Sequence, residues 1–199
     1  MGSMTQAAQR HQPDRIDLQL RRALAEIGAR TPLEQLTTAQ LVRRARIGRS
    51  TFYRRHADLG AYVESVRADV LNEVASAFQS AQDDAGPDAG RYSVIAERVS
   101  AVLQVIHHHA DLLRLFCRDT SFQNRCRTLT AELMAADLDQ LGAGLDARYC
   151  PPEHVLAFVS HGLVGVLSRW LHHPAPEDVD DLAFHLVTLI SGATTDFIE

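Results

Sequence analysis

The sequence predicts an all-α protein, and three observations carry that prediction. Apolar residues recur at steps of three and four in segment after segment, and no convincing stretch alternates apolar and polar residues as a half-buried strand does. Chain breakers cluster between those segments, at Thr31-Pro32, at Asp83 to Gly90, at Gly142-Ala143-Gly144 and at His173 to Pro176. Charge is divided along the chain: residues 1–60 hold 11 arginines against five acids (Asp14, Asp17, Glu26, Glu34, Asp58), and the remainder is strongly acidic. The expected architecture is an N-terminal three-helix, helix-turn-helix head followed by a helical bundle, about nine helices in all.

The elements follow in order. Ile16, Leu20, Ala23, Leu24 and Ile27 line one face of a first helix, which Thr31-Pro32 ends because the residue before proline avoids helical dihedrals. A second, short helix begins at Thr37, which forms a capping box with Gln40 three residues on: the hydroxyl takes a free backbone N–H and the amide side chain reaches back. Leu41, Val42 and Ala45 face inward. After a tight turn at Arg46-Ile47-Gly48 comes a third short helix, Arg49 to His56. A long helix carries Leu59, Val63, Val66, Val70, Val74 and Phe78 across the charge boundary and is expected to link head and body rigidly.

Further helices are expected around Ile95 to Ile106, Ala110 to Arg118 and Phe122 to Leu141. Pro152 suits the first turn of the next, which carries Val155, Leu156, Val159, Leu163, Val166, Leu167 and Trp170 and has Gly162 and Gly165 where another backbone could approach. The last opens on Glu177 and Asp178, which favour a helix start through its dipole, and continues through Leu182, Leu186, Leu189, Ile190 and Phe197. These two helices carry more apolar surface than one protomer hides, which predicts a homodimer formed through Val159, Leu163, Val166, Leu182, Leu186, Leu189 and Ile190.

Composition limits the rest. A hydrophobic fraction of 46% supports a packed core, and the apolar run from Val155 to Leu171, interrupted by His161 and Arg169, reads as short of a membrane span. No signal peptide follows Met1-Gly2-Ser3-Met4, which reads as a cloning scar, so a cytoplasmic protein is expected. Three cysteines (Cys117, Cys126 and Cys150) without a Cys-x-x-Cys pair argue against a disulfide framework or a zinc knot. The expected parts are a disordered tail and scar over 1–13, a head over 14–60 and a body over 61–199.

A basic head on an acidic body suits binding a polyanion by one end. The stretch Leu36 to Tyr62, LTTAQLVRRARIGRSTFYRRHADLGAY, places two short helices across a tight turn, the second polar and Arg-rich on one face, which is how a recognition helix enters a major groove about 12 Å wide. A run of arginines on a short helix is most often a solvated face; joined to a capping box, a turn and a basic head, it points to double-stranded DNA.

In Thr37, Leu41, Ala45, Ile47 and above all Thr51-Phe52-Tyr53-Arg54, the head resembles the tetracycline-repressor (TetR) family. That family typically reads Thr-(three residues)-Ile-Ala, then Ala-Gly-Val-Ser, then Thr-Phe-Tyr-x-His-Phe. The resemblance implies that Thr37 or Thr38 offers a hydroxyl or helix-start amide to phosphate, that Gly48, Arg49, Ser50 and Thr51 lie nearest the bases, that Tyr53 presses its hydroxyl on a phosphate, and that Arg54 or Arg55 adds charge. It also implies a ligand-responsive repressor, dimeric on a palindromic operator and released by a small-molecule effector of unstated identity. Four departures stand out: Arg46 replaces a turn glycine and could touch the DNA backbone, Gly48 replaces a capping serine, His56 replaces a core phenylalanine, and Leu59 replaces a phosphate-binding lysine.

In the body, Phe116, Cys117, Phe122, Met134, Asp137, Phe158, His161 and Trp170 are candidate effector-binding residues, with Asp137 able to meet an arginine such as Arg114. His107-His108-His109 with Cys117 and Cys126 raises a metal- or redox-sensing alternative. Consecutive positions on a helix point about 100° apart, so no metal site and no cofactor is expected from them. No nucleophile elbow, phosphate-cradling glycine loop or His-Glu-x-x-His is present, so no catalytic residue and no enzyme is expected. A helical dimeric interaction module is the remaining alternative.

Overall fold

The computed structural model describes residues 14–84, 91–140, 150–173 and 176–194; the side chains of 82–84, 91, 137–140, 193 and 194 lie outside that description. Among the described residues the fold is all-α, with nine α-helices, one short 3₁₀ turn and no strand. The break expected at Asp83 to Gly90 begins later, because α4 runs on through Asp84; its residues 85–90, the break at 142–144, the tail at 1–13, Leu141 and Phe197 fall outside the described residues.

The chain divides into two compact units, Met1–Tyr62 and Val63–Glu199. In the first, α1 (Arg15–Gly28) buries Leu20, Ala23, Leu24 and Gly28, while Ile16 and Ile27 sit half-buried at the edges of that face. Asp14 starts the helix, its carboxylate accepting the N–H groups of Ile16 and Asp17 at 2.9 and 3.0 Å. A 3₁₀ turn, Leu33–Gln35, leads to α2 (Thr38–Ala45). The capping box is present as expected: Thr37 Oγ1 accepts the Gln40 N–H and Gln40 Oε1 accepts the Thr37 N–H. Leu41, Val42 and Ala45 are buried against α1.

The next helix, α3, is shorter than expected, Arg49–Tyr53, with Arg54 as its C-cap. Gly48 at its N-cap supplies no side-chain hydrogen bond, and Phe52 is its single buried side chain. The first turn of α4 (Leu59–Asp84) follows, with the Asp58 carboxylate accepting the Ala61 N–H at 2.7 Å.

In the second unit, Val66 and Val70 on α4 are fully buried, while Val74 and Phe78 are half-buried. The elements that follow are α5 (Arg91–His108), α6 (Ala110–Phe116), α7 (Thr120–Gln140), α8 (Pro152–His172) and α9 (Val179–Thr194). Helix α5 packs along α9 and α7 along α8, with α6 against the end of α8. Pro152 stands in the first turn of α8, where its missing N–H costs nothing. Because α8 extends beyond Val155–Leu171 at both ends, it is by length and composition apolar enough to cross a membrane, although only 33% of its apolar window is buried within the protomer.

Candidate nucleic-acid interface

The segment joining α2 to α3 sets the geometry of the head. Arg46 takes the left-handed conformation at φ 56°, the one positive φ on a non-glycine residue among the described residues. That conformation lets its N–H bond Arg43 and Val42 carbonyls and turns the chain sharply out of α2. A glycine would adopt it without steric cost, whereas arginine holds it against the clash of its Cβ. The recognition-type turn is therefore made with a strained residue whose side chain stays exposed.

Helix α3 turns Phe52 inward and the rest outward. Phe52 meets Tyr53, Tyr62 and His56 at ring separations of 5.5, 5.9 and 5.3 Å, an aromatic cluster that anchors the short helix. Gly48, Arg49, Ser50, Tyr53 and Arg54 are exposed, and Thr51 is half-buried. Tyr53 is 53% exposed. Thr38 is half-buried, and the Thr37 hydroxyl already serves Gln40 within the capping box, donating to Oε1 at 2.8 Å.

The arginines of the head divide by partnership. Arg22 and Arg44 both pair with Glu26, which holds that carboxyl below its usual range, chiefly through the hydrogen bond from Arg22. Arg55 pairs with Asp14 at 2.6 Å and reaches Asp17 at 3.6 Å. By contrast Arg46, Arg49 and Arg54 make no ion pair with any described residue, and all three are exposed beside α3. Three of the arginines of this unit that make no ion pair thus stand on or next to its short polar helix; Arg15, Arg30 and Arg43, also exposed, lie elsewhere on it.

His56 closes the cluster. Its ring lies 4.8 Å from Tyr62, and its Nε2 is buried without a hydrogen-bond partner among the described residues. Burial pushes its pKa below the ordinary 6.5; Arg55 lowers it further and Asp17 opposes both.

The described candidate effector residues differ in burial and surroundings. Phe116 and Phe122 stack 5.4 Å apart and are fully buried, with the guanidinium of Arg67 5.1 and 5.4 Å from their centres. Arg67, itself 6% exposed, bonds Glu64 at 2.8 Å and Asp119 at 2.9 Å, and Glu64 also holds Arg125. Those rings are filled core. Cys117 is buried beside them, and burial pushes the thiols of Cys117 and Cys126 up to about 11 and about 12, so neither is a thiolate at neutral pH. Met134 is half-buried. The Asp137 side chain lies outside the described residues, and Arg114 instead bonds Asp111 at 2.7 Å and the Leu171 carbonyl at 2.6 Å.

Phe158 and His161 face solvent, Phe158 at 74% exposure, because α8 turns its opposite side to the core. Trp170, among the described candidates, borders a cleft. Its Nε1 donates to the Glu177 carbonyl, and with His107, His108, Asp111, Arg114 and Glu177 it lines a space of about 620 Å³. His109 is buried 2.7 Å from Glu73, its ring edge-on to that of His108 at 4.7 Å. Among the described residues no group of three or more His, Cys, Asp or Glu side chains is arranged to hold a metal ion.

Of the seven expected dimer residues, Val159, Leu182 and Leu186 are buried within the protomer. Leu163, Val166 and Ile190 are half-buried, and of the seven only Leu189 is exposed. The large apolar side chains exposed on these helices are Phe158 on α8 and Phe184 and Leu189 on α9, and a side chain at Gly162 or Gly165 on α8 would meet open space.

Residues 95–192 match a TetR-type family model described as "Transcriptional regulator C-terminal region". No curated protein matches the chain. Among solved structures, the fatty acid degradation regulator FadR from Bacillus halodurans shares 13% identity over 90% of this chain and 96% of its own, with a TM-score of 0.69. A regulatory protein of the tetR family from Rhodococcus RHA1 shares 14% over 91% and 97%, at 0.65. FadR from Bacillus subtilis, solved with stearoyl-CoA, shares 11% over 88% and 98%, at 0.62.

Proposed function

The chain belongs to the TetR family of transcriptional regulators, and from that premise we propose that it is a cytoplasmic, ligand-responsive repressor that reads a palindromic operator as a homodimer. The observation that carries the DNA-reading role is the set of unpaired, exposed arginines beside α3, Arg46, Arg49 and Arg54, with Ser50 and Tyr53 on the same short helix. Guanidinium groups already bound to carboxylates have less to gain from phosphate, whereas unpaired ones can release counterions and read base edges. In this reading Gly48, Arg49, Ser50 and Thr51 face the bases, Tyr53 and Arg54 meet phosphate, and Thr37 and Thr38 at the start of α2 lie against the DNA backbone, the Thr38 amide being the one not spent on the capping box.

The second copy sits on the faces of α8 and α9 that carry Phe158, Gly162, Gly165, Phe184 and Leu189. Isolated apolar side chains on a surface are ordinary, but three large ones on two adjoining helices beside open glycines suit helix-on-helix docking. It also gives the apolar α8 a protein partner in place of a membrane. Pairing sets two α3 helices one turn of DNA apart, roughly 34–36 Å, and an effector that favours another separation lowers operator affinity. The Trp170-lined cleft is within the size range of small-ligand sites.

A gel shift on the DNA upstream of the protein's own gene tests the reading. Wild-type protein is expected to shift it, and an Arg49→Ala, Tyr53→Ala double variant is expected to lose binding while keeping its fold and oligomeric state. Unchanged binding by the variant removes α3 as the reading helix.

A further inference from the structure

Arg55 is the cation of the head whose position looks most like a phosphate contact, being the second of two arginines directly after α3. Its environment says otherwise. The guanidinium spans two carboxylates on the first turn of α1: Nη2 lies 2.6 Å from Asp14 Oδ2, and Nη1 lies 3.6 Å from Asp17 Oδ1. Asp17 is 14% exposed, whereas Arg55 at 31% and Asp14 at 47% remain open to water. Asp14 meanwhile caps α1 with its other oxygen, Oδ1, which accepts the N–H groups of Ile16 and Asp17. One carboxylate therefore starts the first helix and grips the end of the third. The two partners fix each other's charge: the Asp17 amide and then Arg55 hold the Asp14 carboxyl below its ordinary range, and Asp14 raises Arg55.

The need for such a clamp follows from the size of α3. A five-residue helix is too short to be stable by itself, and Phe52 is its single buried side chain. One anchoring ring leaves rotation of the helix about that anchor weakly restrained. A guanidinium two residues beyond α3, bound at 2.6 Å to a carboxylate that starts a different helix, supplies a second fixed point. We propose that Arg55 is a positioning residue: through Asp14 and Asp17 it sets the orientation of α3 on α1, and it acts on DNA recognition through Arg49, Ser50 and Tyr53 rather than by touching phosphate. This rests on the DNA-reading role of α3 proposed above.

The experiment compares Asp14→Asn/Asp17→Asn and Arg55→Ala with wild type, measuring operator affinity between about 50 and 200 mM salt. Asparagine caps a helix about as well as aspartate, so the double variant keeps the start of α1. It also removes two negative charges from the DNA-binding unit, so simple electrostatics predicts tighter binding. The clamp predicts weaker binding, roughly 2- to 5-fold, the range of a half-exposed ion pair. For Arg55→Ala the expected result is a similar loss with an unchanged slope of log affinity against log salt, since a side chain that neutralises one phosphate contributes about 0.9 to that slope. Circular dichroism checks that both variants remain folded; if Arg55→Ala unfolds, the asparagine variant decides. Binding by the asparagine variant equal to or tighter than wild type overturns the clamp, as does a flattened slope in Arg55→Ala. Wild-type protein that binds no duplex at low salt removes the DNA reading itself, and this role for Arg55 with it.

Discussion

At the scale of single residues, the head holds two side chains that its geometry does not favour. Arg46 occupies a left-handed turn position that glycine adopts freely. Arg46→Gly is expected to stabilise the protein by about 0.5–1 kcal/mol, the relief of the left-handed cost offset by the greater freedom of glycine in the unfolded chain. Urea unfolding measures it, and a lower midpoint would show that the turn gains from the arginine side chain. His56 sets a pH dependence. Its folded pKa is depressed by burial, so the folded head binds this proton less readily than the unfolded chain. The stability it contributes is complete above about pH 6.5 and is lost as the pH falls through that value toward the folded pKa. His56→Phe, which keeps the ring between Phe52 and Tyr62, is expected to flatten the fall in melting temperature between pH 7 and pH 5 relative to wild type. Equal falls in both proteins would exonerate His56.

At the scale of elements, α8 carries two apolar faces that the same spacing generates, and only packing tells them apart. Val159 is 5% exposed, while its neighbour Phe158 is 74% exposed. Val159→Glu places a carboxylate in a filled core and is expected to cost on the order of 3 kcal/mol or to unfold the body. Phe158→Glu alters only surface within one protomer, so its folding stability should stay within about 0.5 kcal/mol. Self-association should weaken by about tenfold or more, as for loss of an aromatic anchor. Sedimentation velocity separates the two outcomes. A Phe158→Glu protein that stays as dimeric as wild type would move the interface off this face of α8.

At the scale of the whole molecule, regulation requires a coupling free energy between the DNA-reading unit and whatever the body binds. That coupling is reciprocal: an effector that weakens operator affinity by some factor must itself bind the operator complex more weakly by the same factor. A compound found by release of the gel shift should also raise the melting temperature of the free protein, since ligand bound to the folded state stabilises it by mass action. Calorimetric titration of that compound into free and operator-bound protein checks the equality. Matching affinities in both titrations would mean that the compound is no effector.

Much of this protein is local and therefore readable along the chain. The helix starts at Thr37 and Pro152, the inward face of Leu41, Val42 and Ala45, the strained turn at Arg46 and the arginine-bearing α3 all depend on neighbours within a few residues, where hydrogen-bonding rules and periodicity apply directly. What the tertiary structure alone decided is which of several equivalent faces and charges meet a distant partner. Periodicity marks Val159, Leu182 and Leu186 as apolar but cannot say that they are covered by their own protomer. The body aromatics share a character and not a place: Phe116 and Phe122 fill the core, Phe158 faces solvent and Trp170 borders a cleft. Arg54 and Arg55 are identical neighbours in sequence, and only the approach of α1 commits Arg55 to Asp14 and Asp17 and leaves Arg54 unpaired. The reason is range: helix propensity and capping act over one turn of chain, whereas burial and ion pairing are fixed by segments brought together only on folding.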